Sequence, residues 1–198
     1  MALYGILSII IMRRYLYSKF FTTYLPPPKK IMKFLNVPHY SQLDNEFHPT
    51  YTCNLTKAAM CLAYHGIKPK QRVQLEDELY EYARDNKLSR HVPEDIASII
   101  KAHGCQDRFT YNATIEEVKE SIDNGNPCIL HGMFTRSGHI VVGRGYDFRG
   151  LIVNDPYGEY FRNGYDTSVS GATLRYSYGL IQETCAYDGL FWVHFVSK

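Results

Sequence analysis

Gly138-His139-Ile140-Val141-Val142-Gly143-Arg144-Gly145-Tyr146 runs into Asp147-Phe148-Arg149-Gly150, and Leu151-Ile152-Val153-Asn154-Asp155-Pro156 follows. Both flanks are rich in Ile and Val and the middle is turn chemistry, which reads as an antiparallel hairpin. His139 lies eight residues before Asp147, and Asp155 lies eight after it. Closing the hairpin there brings an imidazole and a carboxylate near each other, whatever the register to within a residue or two. Opposed side chains on one face have Cβ atoms about 5 Å apart. An acid so placed fixes the histidine tautomer and stabilises the imidazolium.

Working outward, Cys128–Phe134 and Leu190–Val196 read as two more strands, and Tyr157–Tyr187 as an inserted loop with a short helix. The first half of the chain has a different period. Leu55–Tyr64 is helical, with Leu55, Ala58, Ala59 and Leu62 on one face and Gly66 closing it. Gln74–Asn86 repeats Leu75, Leu79, Tyr82 and Ala83 at helical spacing, and Pro93 opens a helix over Glu94–His103 that ends at Gly104. Thr114 is a natural N-cap for a helix running to Asp123, stopped by Gly125 and Pro127. Phe34–Pro38 is a short extended lead-in, and Tyr40–Thr52 is polar and turn-rich. Helices first and strands later give an α+β domain, with N-terminal helices packed on a C-terminal antiparallel sheet.

Cys53 opens the first of these helices, in Thr52-Cys53-Asn54-Leu55-Thr56. The N–H groups and macrodipole of a helix N-terminus stabilise negative charge and lower a thiol pKa. A cysteine, a histidine and an acid in the order Cys53, His139, Asp155 suggest nucleophilic catalysis. His139 would take the thiol proton and later protonate a leaving amine. The oxyanion needs donors beside the sulfur; the Cys53 N–H is one candidate and Gln42, in the preceding loop, another. Singly, each residue has a plain structural reading: a buried thiol, a strand histidine, an ordinary Asn154-Asp155-Pro156 turn. Order, helix position and hairpin symmetry together favour chemistry.

Composition bounds the rest. The 198 residues carry a net charge of +2, with 45% hydrophobic and 21% charged residues, as in an ordinary globular domain. No dense basic stripe argues for nucleic acid. Tyrosine is abundant at 17 residues, and seven of them cluster between Tyr146 and Tyr187, where they line a groove or pack half-buried. Five scattered cysteines without a CxxC pair argue against a disulfide framework and for a reducing, cytoplasmic setting. Cys61, Cys128 and Cys185 read as small buried hydrophobes. Cys61 and His65 are four apart on one helix, and His103 and Cys105 flank Gly104, but nothing brings the pairs together, so no metal and no cofactor is expected. His39, His48, His91, His131 and His194 read as isolated surface or core residues.

Residues 1–31 stand apart as an N-terminal extension to a domain over 32–198. The apolar run 2–12 is too short to span a bilayer, which takes about 20 residues, and suits at most a weak contact with a membrane surface. Arg13 and Arg14 follow rather than precede it, unlike a secretory signal. Pro26-Pro27-Pro28-Lys29-Lys30 is an extended linker, and Met32-Lys33-Phe34-Leu35 resembles a native start.

Four blocks together, Val37-Pro38-His39-Tyr40-Ser41-Gln42-Leu43-Asp44-Asn45, Thr52-Cys53-Asn54-Leu55-Thr56, Gly138-His139-Ile140-Val141-Val142-Gly143 and Ile152-Val153-Asn154-Asp155-Pro156-Tyr157-Gly158, resemble the stand-alone branch of the peptidases related to the bacteriocin-leader-processing (double-glycine) enzymes. The resemblance covers roughly 34–160, and the wider group is papain-like. It implies a papain-like fold, a Cys53 nucleophile, a His139 base, an orienting Asp155, an oxyanion-hole Gln42, and a peptide or protein substrate in a bacterial or phage setting. Many members carry Cys-Gly-Pro where this chain has Cys53-Asn54-Leu55, and Gln42 precedes Cys53 by eleven residues, more than is usual in papain-like enzymes. The 198 residues hold no P-loop and no set of spanning stretches, so leader processing coupled to export is not implied. Two other readings share the fold: an amidase or transpeptidase acting on peptidoglycan stems or γ-glutamyl peptides, and a non-enzymatic peptide-binding module.

Overall fold

The computed structural model describes residues 33–71 and 73–198. The extension 1–31 and its membrane-contact reading lie outside the described residues. Among the described residues, five helices and nine strands form an α+β arrangement around one seven-stranded sheet and a separate hairpin. The helices are α1 Cys53–Tyr64, α2 Leu75–Asp85, α3 Pro93–Ala102, α4 Ile115–Asp123 and α5 Tyr178–Cys185. The strands are β1 Lys33–Phe34, β2 Gln106–Thr110, β3 Cys128–Gly132, β4 His139–Tyr146, β5 Gly150–Asn154, β6 Glu159–Phe161, β7 Gly164–Asp166, β8 Leu174–Ser177 and β9 Val193–Ser197.

The main sheet runs β2-β9-β3-β4-β5-β8, with β1 pairing beside β4, and every ladder in it is antiparallel. β5 is buried along its whole length and β4 up to Tyr146, so the centre of the sheet is covered on both faces. That explains the apolar runs Ile140–Val142 and Leu151–Val153, which lack the alternation of a half-exposed strand. α1 packs on β4 and β3, flanked by α2 and α3, while α4 packs against β4 and β1. α1 buries nine of its twelve residues, which makes it the central helix of the domain. Thr114 and Glu117 form a reciprocal capping box at the start of α4, satisfying two N–H groups that have no partner in the helix.

Helices-then-strands needs correction at the sheet's two edges. β2 falls among the helices and β8 inside the stretch read as a loop. Both are edge strands. An edge strand faces solvent along one side and carries polar residues that block further pairing. Gln106, Arg108 and Arg175 are such residues, and they mask the strand pattern. The same loop also holds the β6–β7 hairpin, whose tight turn precedes Gly164 at φ +133°. The turn residues are Arg162-Asn163, with Gly164 already paired to Phe161, and the sequence reading did not single them out.

Candidate active site

The central hairpin turns at Asp147–Gly150, closed by the Asp147 N–H on the Gly150 carbonyl at 3.0 Å. Val142 stands opposite Asn154, and a bulge between Gly143 and Gly145 shifts the register nearer the turn. Continued beyond β5, that register sets Asp155 opposite Val141, two residues from His139 and on the same face. The pair is therefore diagonal, within reach of long polar side chains. His139 Nε2 lies 2.7 Å from Asp155 Oδ1, and both residues are buried. With Nε2 committed to Asp155, Nδ1 is the ring nitrogen left for a nucleophile.

Cys53 is the first residue of α1, and it and His139 line the same groove, close enough for each to shift the other's titration. Thr52, the N-cap, does not cap with its side chain. Its hydroxyl instead donates to the His48 carbonyl and accepts from Asn45 Nδ2. The first turn of α1 also carries no acidic residue. The Leu55 N–H is taken by Asn54 Oδ1 at 3.0 Å, but the positive end of the helix dipole still lies at the sulfur, where it favours an anion. Burial pushes the Cys53 thiol up; the Lys57 ammonium, the hydrogen bond from His139 and its charge outweigh burial, leaving the thiol at about 7.

Burial and Lys57 both oppose charge on His139, but the Asp155 carboxylate outweighs them and its pKa lies above the ordinary value. Asp155 runs the other way. Burial raises it, and the charge and hydrogen bond of His139 hold it below the usual carboxylate range. Four donors converge on this carboxylate: His139 and the Tyr157 N–H on Oδ1, the Tyr165 and Tyr176 hydroxyls on Oδ2 at 2.9 Å each. His39 Nε2 adds a contact to the Asp155 carbonyl at 2.9 Å, so His39 is not isolated. Gly171 accepts from the Asp155 N–H, and a Cβ there would sit 1.8 Å from the Asp155 carbonyl oxygen, so only glycine fits.

Three of the four residues singled out from the sequence, Cys53, His139 and Asp155, meet here. Gln42 is buried in the loop before α1, where its Nε2 donates to the Pro49 carbonyl at 2.9 Å and its Oε1 has no partner among the described residues. Asn45 bridges Thr52 and Thr56 at 2.9 Å each, tying this long loop to the first turn of α1. Asn54, in place of the more usual glycine, donates to the Arg90 carbonyl and anchors the helix start to the segment before α3.

The sequence reading missed Lys57, Tyr165 and Tyr176. Lys57 is fully buried one turn after Cys53, with Nζ 3.4 Å from His139 Nε2. A lysine at i+4 from the cysteine, inside a run of small apolar residues, was the available signal. Tyr165 rides on the β6–β7 hairpin and Tyr176 on edge strand β8, so neither was legible while that stretch read as loop.

Cys53 and His139 open onto a groove of about 270 Å³. Asn54, Arg90 and Ile96 line one side, Gly132, Met133 and Gly138 the other, and Leu190 and Trp192 also line it. Among the described residues no three His, Cys, Asp or Glu side chains cluster as a metal site, no helix is long and apolar enough to cross a membrane, and all five cysteines are free. His65 and His103 are instead engaged with the Val196 and Ile99 carbonyls.

Residues 34–185 match the model of the Peptidase_C39 like family. Two solved structures share the fold. One is a double glycine motif protease from an AMS/PCAT transporter in complex with the leader peptide, 18% identical, with TM-score 0.54 over 84% of this chain and 95% of that one. The other is described as a C39-like peptidase from Bacillus anthracis, 16% identical, with TM-score 0.56 over 86% of this chain and 98% of that one. The α+β fold is thus the papain-like one that the four sequence blocks implied. No curated protein matches the chain.

Proposed function

We propose, from the premise that the chain belongs to the Peptidase_C39 like family, that it is a cysteine peptidase with Cys53 as nucleophile, His139 as acid and base, and Asp155 as the residue orienting His139. The observation that carries this reading is the meeting on one groove of Cys53, at a helix N-terminus, and His139, itself hydrogen-bonded to Asp155.

In this reading the Cys53 thiolate attacks the scissile carbonyl carbon, and the carbonyl π electrons move to oxygen. The free N–H of Cys53 stabilises the oxyanion, with the Gln42 amide as second donor. His139 delivers its proton to the leaving amine as the C–N bond breaks, which leaves an acyl-thioester. The now neutral imidazole then takes a proton from water, hydroxide attacks the thioester, and the new carboxylate departs while Cys53 returns to thiolate. Asp155 stays ionised throughout, because its donors favour the charged form.

The groove and the leader peptide bound by the structural neighbour support an extended peptide as substrate. Labelling with a thiol-directed activity probe followed by peptide mapping tests the reading. Label concentrates on Cys53, and Cys53→Ala loses both label and turnover of a peptide library. Hydrolysis that survives Cys53→Ala, with label elsewhere, refutes it.

A further inference from the structure

Lys57 is the buried charge that the mechanism above does not use. Its side chain has no exposure, and among the described residues no carboxylate oxygen lies within ion-pair distance of it. Its one polar contact is His139 Nε2 at 3.4 Å. That nitrogen already donates to Asp155 at 2.7 Å, so it offers the ammonium, which can only donate, no acceptor. A fully buried, unpaired lysine is costly and persists where surrounding charge makes up for the cost.

The charges of the site supply the reason. A thiolate–imidazolium pair alone is neutral. Asp155 adds a second negative charge, and it acts against the thiolate. An ammonium one helical turn from Cys53 restores neutrality to the buried set. We propose that Lys57 is a positioning residue that keeps Cys53 in its thiolate form by balancing the charge Asp155 brings to the site. This rests on the reading of Cys53 as nucleophile.

The groups around Lys57 are consistent with that balance. Its own helix contributes Cys53, β4 contributes His139, and Asp155 follows β5. β3 contributes His131, held neutral by burial, which pushes it down to about 3. α3 buries only Pro93, Ile96, Ala97, Ile99 and Ile100. The buried carboxyls of α2 serve the 44–47 loop instead: Asp77 accepts from the Glu46 and Phe47 N–H groups, and Glu76 neighbours Asp44. Burial lowers Lys57 to about 8, while the charges of Cys53 and Asp155 hold it up. It thus still carries its proton near neutrality, where the thiol titrates.

Two measurements test this. The first follows Cys53 ionisation by thiolate absorbance near 240 nm and by the pH dependence of iodoacetamide alkylation mapped to Cys53. Lys57→Met raises the thiol midpoint from about 7 by about one unit, so alkylation at pH 6.5 slows about tenfold and recovers at pH 10. A purely structural lysine would give slower alkylation at every pH or none at all, and an unmoved midpoint overturns the proposal. The second leaves Lys57 in place, in case Lys57→Met does not fold. Coupling is reciprocal, so in protein with 13C-labelled lysine side chains Cys53→Ser lowers the midpoint of one lysine resonance by a similar amount. No lysine midpoint moving also overturns it. Turnover retained in Cys53→Ala would bring down the functional reading itself; a low Cys53 midpoint that ignores Lys57 would bring down only this inference.

Discussion

Among the described residues, two buried histidine–aspartate pairs lie on one sheet. His139–Asp155 joins β4 to the turn after β5 at 2.7 Å, and His194–Asp107 joins β9 to β2 at 3.0 Å. Residue types, burial and contact distance are nearly the same. What differs is the third neighbour. His139 has a thiol at a helix N-terminus, a buried ammonium and an open groove. His194 has aromatic faces, lying 4.7 Å from Phe109 and stacking on His131 at 5.1 Å, and its Nε2 has no partner among the described residues. Residue type, burial and distance therefore do not distinguish the two pairs in this molecule; the thiol, the ammonium and the groove beside His139 do.

The strongest way to break the comparison is to remove each imidazole. His139→Ala lowers kcat/KM at neutral pH by about a thousandfold, the range for lost general acid–base catalysis, with little change in urea midpoint. His194→Ala does the reverse. It strands a buried carboxylate on Asp107 and costs about 3 kcal/mol of stability, while folded protein retains its kcat. Equal losses of activity in both variants would erase the distinction.

Lys57 sharpens the contrast from the stability side. Its folded pKa of about 8 lies below the ordinary 10.5. Folding therefore disfavours its proton, and the cost is fully present below pH 8. It fades as pH rises through the window from 8 to 10.5, above which neither state holds the proton. Two and a half units correspond to about 3 kcal/mol. Lys57→Met is accordingly more stable than the wild type at pH 7 by up to that amount, with the gap closing by pH 10. Denaturant titrations at the two pH values read this directly. A site residue whose removal strengthens the fold is kept for something other than the fold.

Asp155→Asn comes next. The amide keeps an acceptor for His139 but removes the charge that raises the histidine. The ion pair lasts from the thiol midpoint up to the histidine midpoint, so the alkaline limb of the pH–rate profile moves about one unit lower. kcat/KM at pH 7 falls about tenfold. An alkaline limb that does not move would mean that Asp155 acts only by position.

How much of this was legible in the sequence follows the same physics. Apolar period located α1 to α4 and the central strands, because buried elements carry their pattern in side-chain type. The hairpin geometry brought His139 to Asp155 without need of the exact register, since a diagonal offset still lets long side chains meet. The edge strands β2 and β8 were hidden by the polar residues that protect edges. With β8 went Tyr176, and with the unread Arg162-Asn163 turn went Tyr165. Lys57 was hidden for another reason: burial of a lysine depends on charges distant in sequence, and only the folded chain assembles Cys53, His139 and Asp155 around it. Gln42 was visible as a residue but not as a geometry, since a loop of eleven residues permits many paths; Asn45 and Pro49 select one of them.

The smallest effects separate the two tyrosines that hold Asp155. Both donate to Oδ2 at 2.9 Å, so each Tyr→Phe change removes one hydrogen bond to a charged acceptor. Tyr176 lies in the core, and its hydroxyl also accepts the Tyr160 N–H at 3.1 Å. Tyr165 stands on the β6–β7 hairpin, edge-on to the His139 ring at 5.2 Å. Tyr176→Phe thus leaves a backbone donor unpaired as well, and lowers the melting temperature along with activity. Tyr165→Phe lowers kcat/KM about fivefold, equivalent to about 1 kcal/mol, and leaves the melting temperature nearly unchanged. The two hydroxyls share one oxygen, so the double variant exceeds the sum of the singles, because it leaves Oδ2 of a buried carboxylate without a donor. Simple additivity in that cycle would mean that Oδ2 finds another donor, and that the tyrosines pack beside Asp155 rather than hold it.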